Sequence, residues 1–254
     1  MTAPLALVTG GVRRVGAAIS GKLAKAGYDL ALHGHSDAEP DDNLLAILKS
    51  ANTNWQGFVA DFNDTASASV LVAAVTKHFG RAPDVLVNSA SIFGQDDLSS
   101  IDADMLEKHI SVNMMLPVLL TVELAKARTK VDRGCVVHIL DQRVRNPNHD
   151  QLSYTLSKQA LSESVKTLAL TCAATMRVNA VAPGLTLTAG EYGKEQLEKI
   201  TSMMPLDILP SPDDIAEAVD YLVQAQSVTG QIIYADGGAS LKSFDRDFVH
   251  LGKS

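Results

Sequence analysis

A series of short, continuously apolar runs, separated by longer amphipathic stretches, constrains the fold of this chain more than any other feature. The first run is Leu5–Val8, and the later runs lie near 28–33, 55–60, 84–87, 135–140, 177–181 and 231–235. Helical patterns fill the gaps, most clearly at 15–26, 42–50, 64–79, 103–128, 153–175 and 212–225. Strands that lack a polar face must be covered on both sides, as in the parallel sheets of α/β proteins. The alternation therefore predicts a doubly wound, mostly parallel seven-stranded sheet with helices on both faces.

Length and composition favour one globular domain. The 254 residues contain no Pro-, Gly- or Ser-rich linker, so we expect a single domain over residues 1–254. A net charge of −7, without a long basic run, argues against a nucleic acid or an anionic membrane as partner. No cationic leader or long apolar stretch indicates export or a membrane span, and Cys135 and Cys172 lack metal-ligand spacing. We therefore expect a cytoplasmic protein with two reduced thiols and no metal site.

A glycine-rich turn follows the first apolar run. It covers residues 9–16, with the sequence TGGVRRVG, and leads into a helical pattern. Glycines allow the backbone to turn tightly and to approach a pyrophosphate, whose charge a helix N-terminus stabilises. Ligands of doubly wound sheets bind beyond the carboxyl ends of the strands, where this turn lies. The turn predicts a dinucleotide site, although an ordinary glycine-bearing strand–helix turn would look similar.

The residues after the second run bear on which dinucleotide would bind. An acidic residue there would bind the ribose diol of NAD, but the sequence over 33–37 is HGHSD. His33, His35 and Ser36 are candidate donors to a 2′-phosphate, and Arg14 supplies a fixed positive charge that could reach it. The pattern favours NADP(H). Asp37 is counter-evidence if the strand extends further, and the histidines could instead be exposed loop residues.

Two further strand ends carry residues suited to a dinucleotide. Asp61, followed by Phe62, ends the third run, and its carboxylate could accept a hydrogen bond from an adenine amino group. The segment 88–91, with the sequence NSAS, ends the fourth run, where small side chains let the backbone pass close to a cofactor. Each signal is weak alone, but the two agree in position with the glycine-rich turn.

Tyr154 and Lys158 are four residues apart, which places them on one face of the predicted helix 153–175. A nearby ammonium lowers the pKa of a phenol because it stabilises the phenolate. The pair therefore predicts a tuned general acid. The spacing alone is common on surface helices, and its position one strand beyond a nucleotide-binding pattern is what favours catalysis.

Together these motifs resemble the short-chain dehydrogenase/reductase family across nearly the whole chain. The set also includes Asn113, Pro183-Gly184 and the sequence DGG at 236–238. The resemblance implies a Rossmann fold, hydride transfer from a nicotinamide, and Tyr154 as proton donor. It also implies that Lys158 binds the nicotinamide ribose, that Asn113 anchors a water-mediated proton relay, and that the loop at Pro183-Gly184 contacts the nicotinamide side.

Asp141 departs from that family, most of whose members place a serine about a dozen residues before the tyrosine. A carboxylate suits the N–H groups of an aminopyrimidine better than a ketone oxygen, and when partly buried it can hold a proton for delivery. The alternative is a loop or helix-cap carboxylate.

With this aspartate the chain resembles the pteridine reductases and the bacterial dihydromonapterin reductases, which show limited dihydrofolate reductase activity. The shared segments are RVG at 14–16, HGH at 33–35, NSASIF at 88–93 and PGL at 183–185. The resemblance implies that Phe93 stacks a flat pterin against the nicotinamide and that Ser91 hydrogen-bonds its edge. Phe93 could otherwise be a core or interface aromatic. Ser36 stands where the protozoan pteridine reductases carry an arginine, so phosphate recognition would depend on Arg14 and the histidines.

We therefore expect an NADPH-dependent reductase of a dihydropterin, of the dihydromonapterin, dihydrofolate or dihydrobiopterin type, that acts on a ring C=N bond. The alternatives are a carbonyl, 3-oxoacyl or sugar alcohol enzyme of the same family, and a catalytically silent cofactor-binding regulator. Family members commonly form tetramers through helices such as 103–128 and 153–175, and the second of these is apolar on more than one side, at Leu161, Val165, Leu168 and Leu170. Residues 186–205, which include Glu191, Tyr192 and Met203, are expected to form a mobile substrate lid.

The predicted site has three overlapping parts. The predicted catalytic residues are Tyr154, Lys158, Asp141 and Asn113. The predicted substrate contacts are Ser91, Phe93, Asp141, Tyr154 and Leu185. The predicted contacts to NADP(H) are Gly10, Val12, Arg13, Arg14, Val15, His33, His35, Ser36, Asp61, Phe62, Asn88, Ser89, Ala90, Ser91, Tyr154, Lys158, Pro183, Gly184 and Leu185.

Overall fold

A single parallel sheet organises the computed structural model, which describes residues 2–128, 133–187 and 192–253. Within these residues the sheet has seven strands in the order β3-β2-β1-β4-β5-β6-β7, and all six pairings are parallel. The strands are β1 (Leu5–Thr9), β2 (Asp29–Gly34), β3 (Trp55–Val59), β4 (Val85–Asn88), β5 (Gly134–Ile139), β6 (Met176–Pro183) and β7 (Ile232–Ala235). The predicted doubly wound, seven-stranded Rossmann fold is confirmed, with strand boundaries within two residues of those expected.

Helices cover both faces of the sheet. They are α1 (Arg14–Lys25), α2 (Asp42–Ser50), α3 (Ser67–Phe79), α4 (Ala103–Ile110), α5 (Leu116–Ala127), α6 (Leu152–Thr171), α7 (Lys194–Met203) and α8 (Pro212–Gln224). Short 3₁₀ turns lie at Gln142–Val144, Ala239–Leu241 and Phe248–His250.

The alternation of side chains along β1 shows why successive residues of the run Leu5–Val8 are all apolar. Leu5 and Leu7 pack into one core layer with α3, α5 and α6, whereas Ala6 and Val8 pack into the opposite layer with α1, α2 and α8. All four side chains are fully buried. Because successive residues of a strand point to opposite faces, a strand covered on both sides has no solvent-facing side.

The strand order reverses direction between β1 and β4. From β1 the chain proceeds outward to β2 and β3, and then crosses back to β4 and continues toward β7. The loops that leave the carboxyl ends of β1 and β4 therefore diverge to opposite sides and leave a crevice between them.

Two helical regions differ from their predictions. The pattern at 103–128 is divided by a π-helical turn, Ser111–Met115, between α4 and α5. The helical stretch Ala103–Ala127 is long and apolar enough to cross a membrane by length and composition alone. However, Leu116, Leu120 and Leu124 are fully buried in the core layer, as expected of the core helix of a globular protein. In the predicted lid, α7 forms an ordinary amphipathic helix, whereas Glu191, with 188–190, lies outside the described residues.

Candidate active site

Two adjoining cavities lie at the carboxyl ends of the strands. One, the turn cavity, has a volume of about 440 Å³ and follows the glycine-rich turn to the end of β2. The other, the tyrosine cavity, has a volume of about 530 Å³ and lies between Tyr154 and the C-terminal segment 247–249. Seven residues line both cavities, which therefore form one continuous cleft: Arg14, Val15, Ser89, Ser91, Phe93, Tyr154 and Leu187.

The glycine-rich turn is held rigidly by its neighbours. Gly10 adopts a left-handed φ of +61°, and a Cβ there would lie 3.1 Å from the Ala90 Cα, so glycine is required. The Thr9 hydroxyl accepts hydrogen bonds from the backbone N–H groups of Ser89 and Ala90, at 3.0 and 3.1 Å. These contacts join the loops that follow β1 and β4 into one wall of the turn cavity.

The turn also offers what an anionic ligand needs. Helix α1 begins directly after the turn, has no side-chain cap and has no acidic residue in its first turn. Its first backbone N–H groups are therefore left for a ligand, and the helix dipole favours negative charge there. Gly10, Val12 and Val15 line the cavity at this point. The residues present fit the pyrophosphate of a dinucleotide.

His33 has a different role from the one predicted. Its Nδ1 accepts from the Gly10 N–H at 3.2 Å, its Nε2 donates to the Ala60 carbonyl at 3.0 Å, and its ring stacks on Phe62 at 4.1 Å. Burial lowers the pKa of His33 to about 4, so the ring is neutral. The prediction that His33 donates to a phosphate is wrong because both ring nitrogens are engaged within the protein. Phe62, predicted as a cofactor contact, is buried beneath this ring.

The charged groups at the end of β2 are arranged in pairs. The Arg13 guanidinium contacts the Asp37 carboxylate at 2.5 Å, and the His35 ring lies 3.5 Å from Asp61. Arg13, His35, Ser36 and Asp37 line this end of the turn cavity, and Asp61 lies behind it. Arg14 instead lies where the two cavities meet. The structure thus favours Arg13 over Arg14 as the cation nearest to a 2′-phosphate.

Helix α6 brings Tyr154 and Lys158 into the tyrosine cavity. Asp96, from the loop after β4, accepts from the Ser153 backbone and hydroxyl and so caps the start of the helix. The Tyr154 hydroxyl donates to Asp141 Oδ2 at 3.1 Å, and Lys158 Nζ donates to the Ile139 carbonyl at 2.9 Å. Three of the four side chains predicted as catalytic, Tyr154, Lys158 and Asp141, therefore converge.

The electrostatics of this group differ from the prediction. Burial, and then the Asp141 charge, raise the pKa of Tyr154 well above 10, whereas burial lowers the pKa of Lys158 to about 8. The expected lowering of the Tyr154 pKa by Lys158 is wrong for this arrangement. Asp141 bonds the phenol directly, and the ammonium is directed to a main-chain carbonyl instead.

Asp141 fits both interpretations offered by the sequence, a carboxylate of the site and a cap. Its Oδ1 caps the 3₁₀ turn Gln142–Val144 by accepting from the Arg143 backbone at 2.9 Å, and the Arg143 Nε lies 3.3 Å from the same oxygen. Its Oδ2 contacts Tyr154 and lines the tyrosine cavity. Asp141 is therefore both a cap and a site residue.

Asn113, in the π-helical turn, holds the walls of the cleft together. Its side-chain oxygen accepts from the Ser91 hydroxyl and the Ile92 N–H, and its amide donates to the Ile92 carbonyl and the Ser157 hydroxyl. All of these distances lie between 2.9 and 3.1 Å. The side chain is fully buried and lines neither cavity, so the predicted water relay at Asn113 remains a prediction.

Asn88 is likewise a structural residue rather than a lining one. It is buried and contacts the Pro117 carbonyl and His138. The other predicted residues of this strand end, Ser89, Ala90 and Ser91, line the cleft.

Phe93 forms an aromatic wall at the junction of the cavities. It is 52% exposed and meets the Tyr154 ring edge-on, with centroids 4.8 Å apart and planes at 74°. It is therefore not a core aromatic. Pro183, Gly184 and Leu185 line the tyrosine cavity opposite.

Several lining residues were not predicted from the sequence. Arg143, two residues after Asp141, could have been noticed as an opposite charge next to a proposed functional carboxylate. The C-terminal segment gives no local signal, because only the fold brings it to the cavity. Thr186, Leu187 and Tyr192, from the segment 186–205 that was predicted to form a lid, also line this cavity. The unpredicted residues around the tyrosine cavity are Gln95, Ile139, Leu140, Gln142, Arg143, Asp247, Phe248 and Val249.

Comparison with known proteins places this geometry in a family. A family model described as enoyl-(acyl carrier protein) reductase matches residues 11–240. Pteridine reductase 1 of Leishmania tarentolae is 31% identical over 94% of this chain and 97% of its own length. A putative ketoacyl reductase of granaticin synthesis from Streptomyces violaceoruber is also 31% identical, with the same coverage.

The solved structures agree. The FolM alternative dihydrofolate reductase 1 of Brucella canis, in complex with NADP, is 34% identical, covers 97% of both chains and superposes with a TM-score of 0.87. The resemblance inferred from the motifs is thus confirmed over almost the whole chain. This protein belongs to the short-chain dehydrogenase/reductase family.

Proposed function

We propose that this oxidoreductase is an NADPH-dependent reductase of a dihydropterin, of the dihydromonapterin, dihydrofolate or dihydrobiopterin type. The observation that carries the proposal is the Asp141 carboxylate, whose Oδ2 lies 3.1 Å from the Tyr154 hydroxyl at the lining of the tyrosine cavity. A carboxylate accepts hydrogen bonds from ring and exocyclic N–H groups, which pterins present and simple ketones lack.

The turn cavity and its rim would hold the cofactor. The N-terminus of α1 would hold the pyrophosphate, and Arg13 and Ser36 would contact a 2′-phosphate. Lys158, whose pKa burial lowers to about 8, would bind the nicotinamide ribose at the tyrosine cavity. NADPH supplies a hydride from its nicotinamide ring, and the substrate C=N bond accepts that hydride and one proton. The NADP-bound Brucella canis relative supports this choice of cofactor.

Tyr154 provides the proton at this site. Its raised pKa means that the phenol is protonated at neutral pH, so the proton is present when the substrate binds. Transfer of that proton leaves a phenolate, which the Lys158 ammonium, 5.7 Å from the ring centroid, stabilises. Asp141 orients the hydroxyl before the transfer.

The shape of the cleft also suits a flat heteroaromatic substrate. Phe93 presents an exposed ring at the junction of the cavities, where it would stack on a pterin, and Ser91 lies beside it with its hydroxyl on the cavity surface. Thr186, Leu187 and Tyr192 line the opposite side. We propose that the segment from 186 to 205 closes over the substrate.

A second candidate, reduction of a carbonyl or 3-oxoacyl substrate, is favoured by the similarity to the putative ketoacyl reductase. A serine in place of Asp141 would suit that chemistry, since a hydroxyl donates to a carbonyl oxygen and a carboxylate does not. A silent regulator is the third candidate, but the converged Tyr154, Lys158 and Asp141 do not favour it.

The test compares substrates and two variants. Wild-type protein with NADPH should reduce dihydromonapterin or dihydrofolate and show little activity on a panel of ketones and β-ketoacyl thioesters. Tyr154→Phe should lower every activity by roughly 10²- to 10⁴-fold, the usual contribution of a general acid. Asp141→Ser should lower pterin reduction and raise carbonyl reduction. Turnover of carbonyls alone by the wild-type protein, or a gain in pterin reduction by Asp141→Ser, would refute the proposal.

A further inference from the structure

Arg143 is a buried cation at the centre of the tyrosine cavity wall. Its side chain is 5% exposed, yet each part of its guanidinium has a partner. Nε contacts Asp141 at 3.3 Å, Nη1 donates to Gln151 at 2.8 Å, and Nη2 donates to Asp247 at 2.5 Å. The group therefore joins the loop after β5, the start of α6 and the C-terminal segment.

The protein's own acceptors already engage all three nitrogens of the Arg143 guanidinium. A guanidinium has five N–H bonds in a fixed plane, and three different acceptors from the protein already surround this one. Its carbon also lies 5.3 Å from the centroid of the Tyr154 ring and 5.8 Å from that of Phe93. Arg143 is placed to organise the site rather than to bind a substrate anion.

Its main effect falls on Asp141. Oδ1 accepts from both the backbone N–H and the side chain of Arg143, while Oδ2 accepts from Tyr154. The charged groups around this carboxylate are Arg143, Lys158 and, beyond the guanidinium, Asp247. Every direct contact is a donor, and together these donors fix the orientation of the carboxylate.

Asp247 completes the arrangement from the far end of the chain. It is 6% exposed, caps the 3₁₀ turn Phe248–His250 with Oδ1 and binds Arg143 with Oδ2. Its backbone N–H donates to Asp150 at 2.7 Å, which anchors the segment to the loop before α6. Without Asp247, Arg143 would have one carboxylate partner instead of two, and its hold on Asp141 would loosen.

We propose that Arg143, held by Asp247, is the positioning residue that keeps Asp141 an oriented hydrogen-bond acceptor, and that the site thereby selects substrates with N–H donors over substrates with only a carbonyl. This inference rests on the proposed function. It assigns substrate selection to an Arg143–Asp247 pair that acts through Asp141.

The test is a double-mutant cycle on pterin binding. Biopterin is titrated into the NADP⁺ complex, and its fluorescence gives Kd for the wild type, Arg143→Gln, Asp141→Asn and the combined variant. Arg143→Gln should raise Kd roughly 10- to 100-fold, the usual weight of a charge-assisted hydrogen bond. In the Asp141→Asn background the same substitution should change Kd by less than about threefold, because the group through which it acts is gone.

The conservative variant gives a readout that a purely structural role would not move. Arg143→Lys keeps the charge but loses the planar set of donors, so its biopterin Kd should lie between those of the wild type and Arg143→Gln.

Controls separate this role from misfolding. Arg143→Gln combined with Asp247→Asn removes both charges together and avoids a buried, unpaired carboxylate. The melting temperature and the Kd for NADPH report the fold, because Arg143 does not line the turn cavity. Arg246→Gln is the matched control, because Arg246 lies in the same C-terminal segment as Asp247. The substitution breaks the ion pair between Arg246 and Asp150 and should leave the biopterin Kd unchanged.

The outcomes distinguish two failures. If the wild-type protein neither reduces a dihydropterin nor binds biopterin, the proposed function fails and this inference with it. If the wild type reduces a dihydropterin but does not bind biopterin, only the inference is overturned. The same holds if Arg143→Gln keeps the wild-type Kd for biopterin, or raises it equally in the Asp141→Asn background.

Discussion

Replacing Asp37 by serine should strengthen the binding of NADPH and leave the binding of NADH almost unchanged. In the structure the Asp37 carboxylate contacts the Arg13 guanidinium at 2.5 Å, at the end of β2 where the 2′-phosphate of NADP would lie. The carboxylate therefore opposes the phosphate in two ways, because it occupies the nearest cation and repels the incoming negative charge.

The magnitude follows from the exposure of the pair. Both side chains are well exposed, at 61% and 44%, so the ion pair itself contributes no more than about 1 kcal/mol. Repulsion between Asp37 and a phosphate about 4 Å away in water adds about 1–2 kcal/mol before screening by salt. At physiological salt we expect a net gain of about 1–2 kcal/mol, or roughly 5- to 30-fold in the Kd for NADPH.

The assay is a fluorescence titration of NADPH and NADH against four proteins. Asp37→Ser should lower the Kd for NADPH but not that for NADH. Arg13→Gln should raise the Kd for NADPH by about tenfold and leave that for NADH unchanged. Arg14→Gln is the control, since Arg14 lies at the junction of the cavities and should affect both cofactors to the same extent. Equal effects of Asp37→Ser on NADH and NADPH, or selective loss of NADPH binding in Arg14→Gln, would show that the phosphate site has been placed wrongly.

Three further predictions concern pH and assembly. Because burial lowers the pKa of Lys158 to about 8 and that of Tyr154 is well above 10, kcat/KM should fall as pH rises above about 8; a profile flat to pH 10 would contradict this assignment. The pKa values of His33 and His138 are lowered by burial to about 4 and about 3, so from pH 6.5 downward the unfolded chain binds protons that the folded chain does not. The unfolding free energy should therefore fall with decreasing pH, by up to about 1.4 kcal/mol per pH unit for each histidine, and His33→Phe should reduce the slope of the melting temperature between about pH 6.5 and pH 4. A homotetramer is expected by light scattering, with Leu170, 82% exposed on α6, at a subunit contact; Leu170→Glu should yield smaller species, and a monomeric wild type would end this expectation.

The fold could be predicted from the sequence because its signals are local and repeated. Each strand is a short, largely apolar run in the sequence, and the helices between the strands show their own period. The π-helical turn at Ser111–Met115 could not be anticipated, since it arises where Asn113 bonds the loop after β4 and Ser157 on α6. Helix α7 was not predicted, because residues 186–205 were interpreted as a lid from their expected position over the pocket.

The candidate site was predictable only where residues follow strands or share a helix face. Tyr154, Lys158 and Asp141 fall in this class, and they converge. Arg143 and Asp247 meet across a separation of 104 residues, which no local pattern encodes. The direction in which the Tyr154 pKa shifts depends first on the burial of the phenol and then on the charge that bonds it. Both are set by tertiary geometry rather than by the spacing of two residues.

The bracing of the glycine-rich turn determines when its conformational entropy is lost. His33 and Thr9 tie the turn to the loops after β3 and β4 through the hydrogen bonds of Gly10, Ser89 and Ala90. The turn is thus ordered when the chain folds, and a dinucleotide meets a surface already in its binding conformation. Cofactor association should then proceed without a slow conformational step, and calorimetry should show only a small entropic penalty for it. If these hydrogen bonds were removed, the entropic cost of ordering the turn would fall on cofactor binding instead of on folding. Such a variant would bind its cofactor less tightly even though the residues that line the cavity were unchanged.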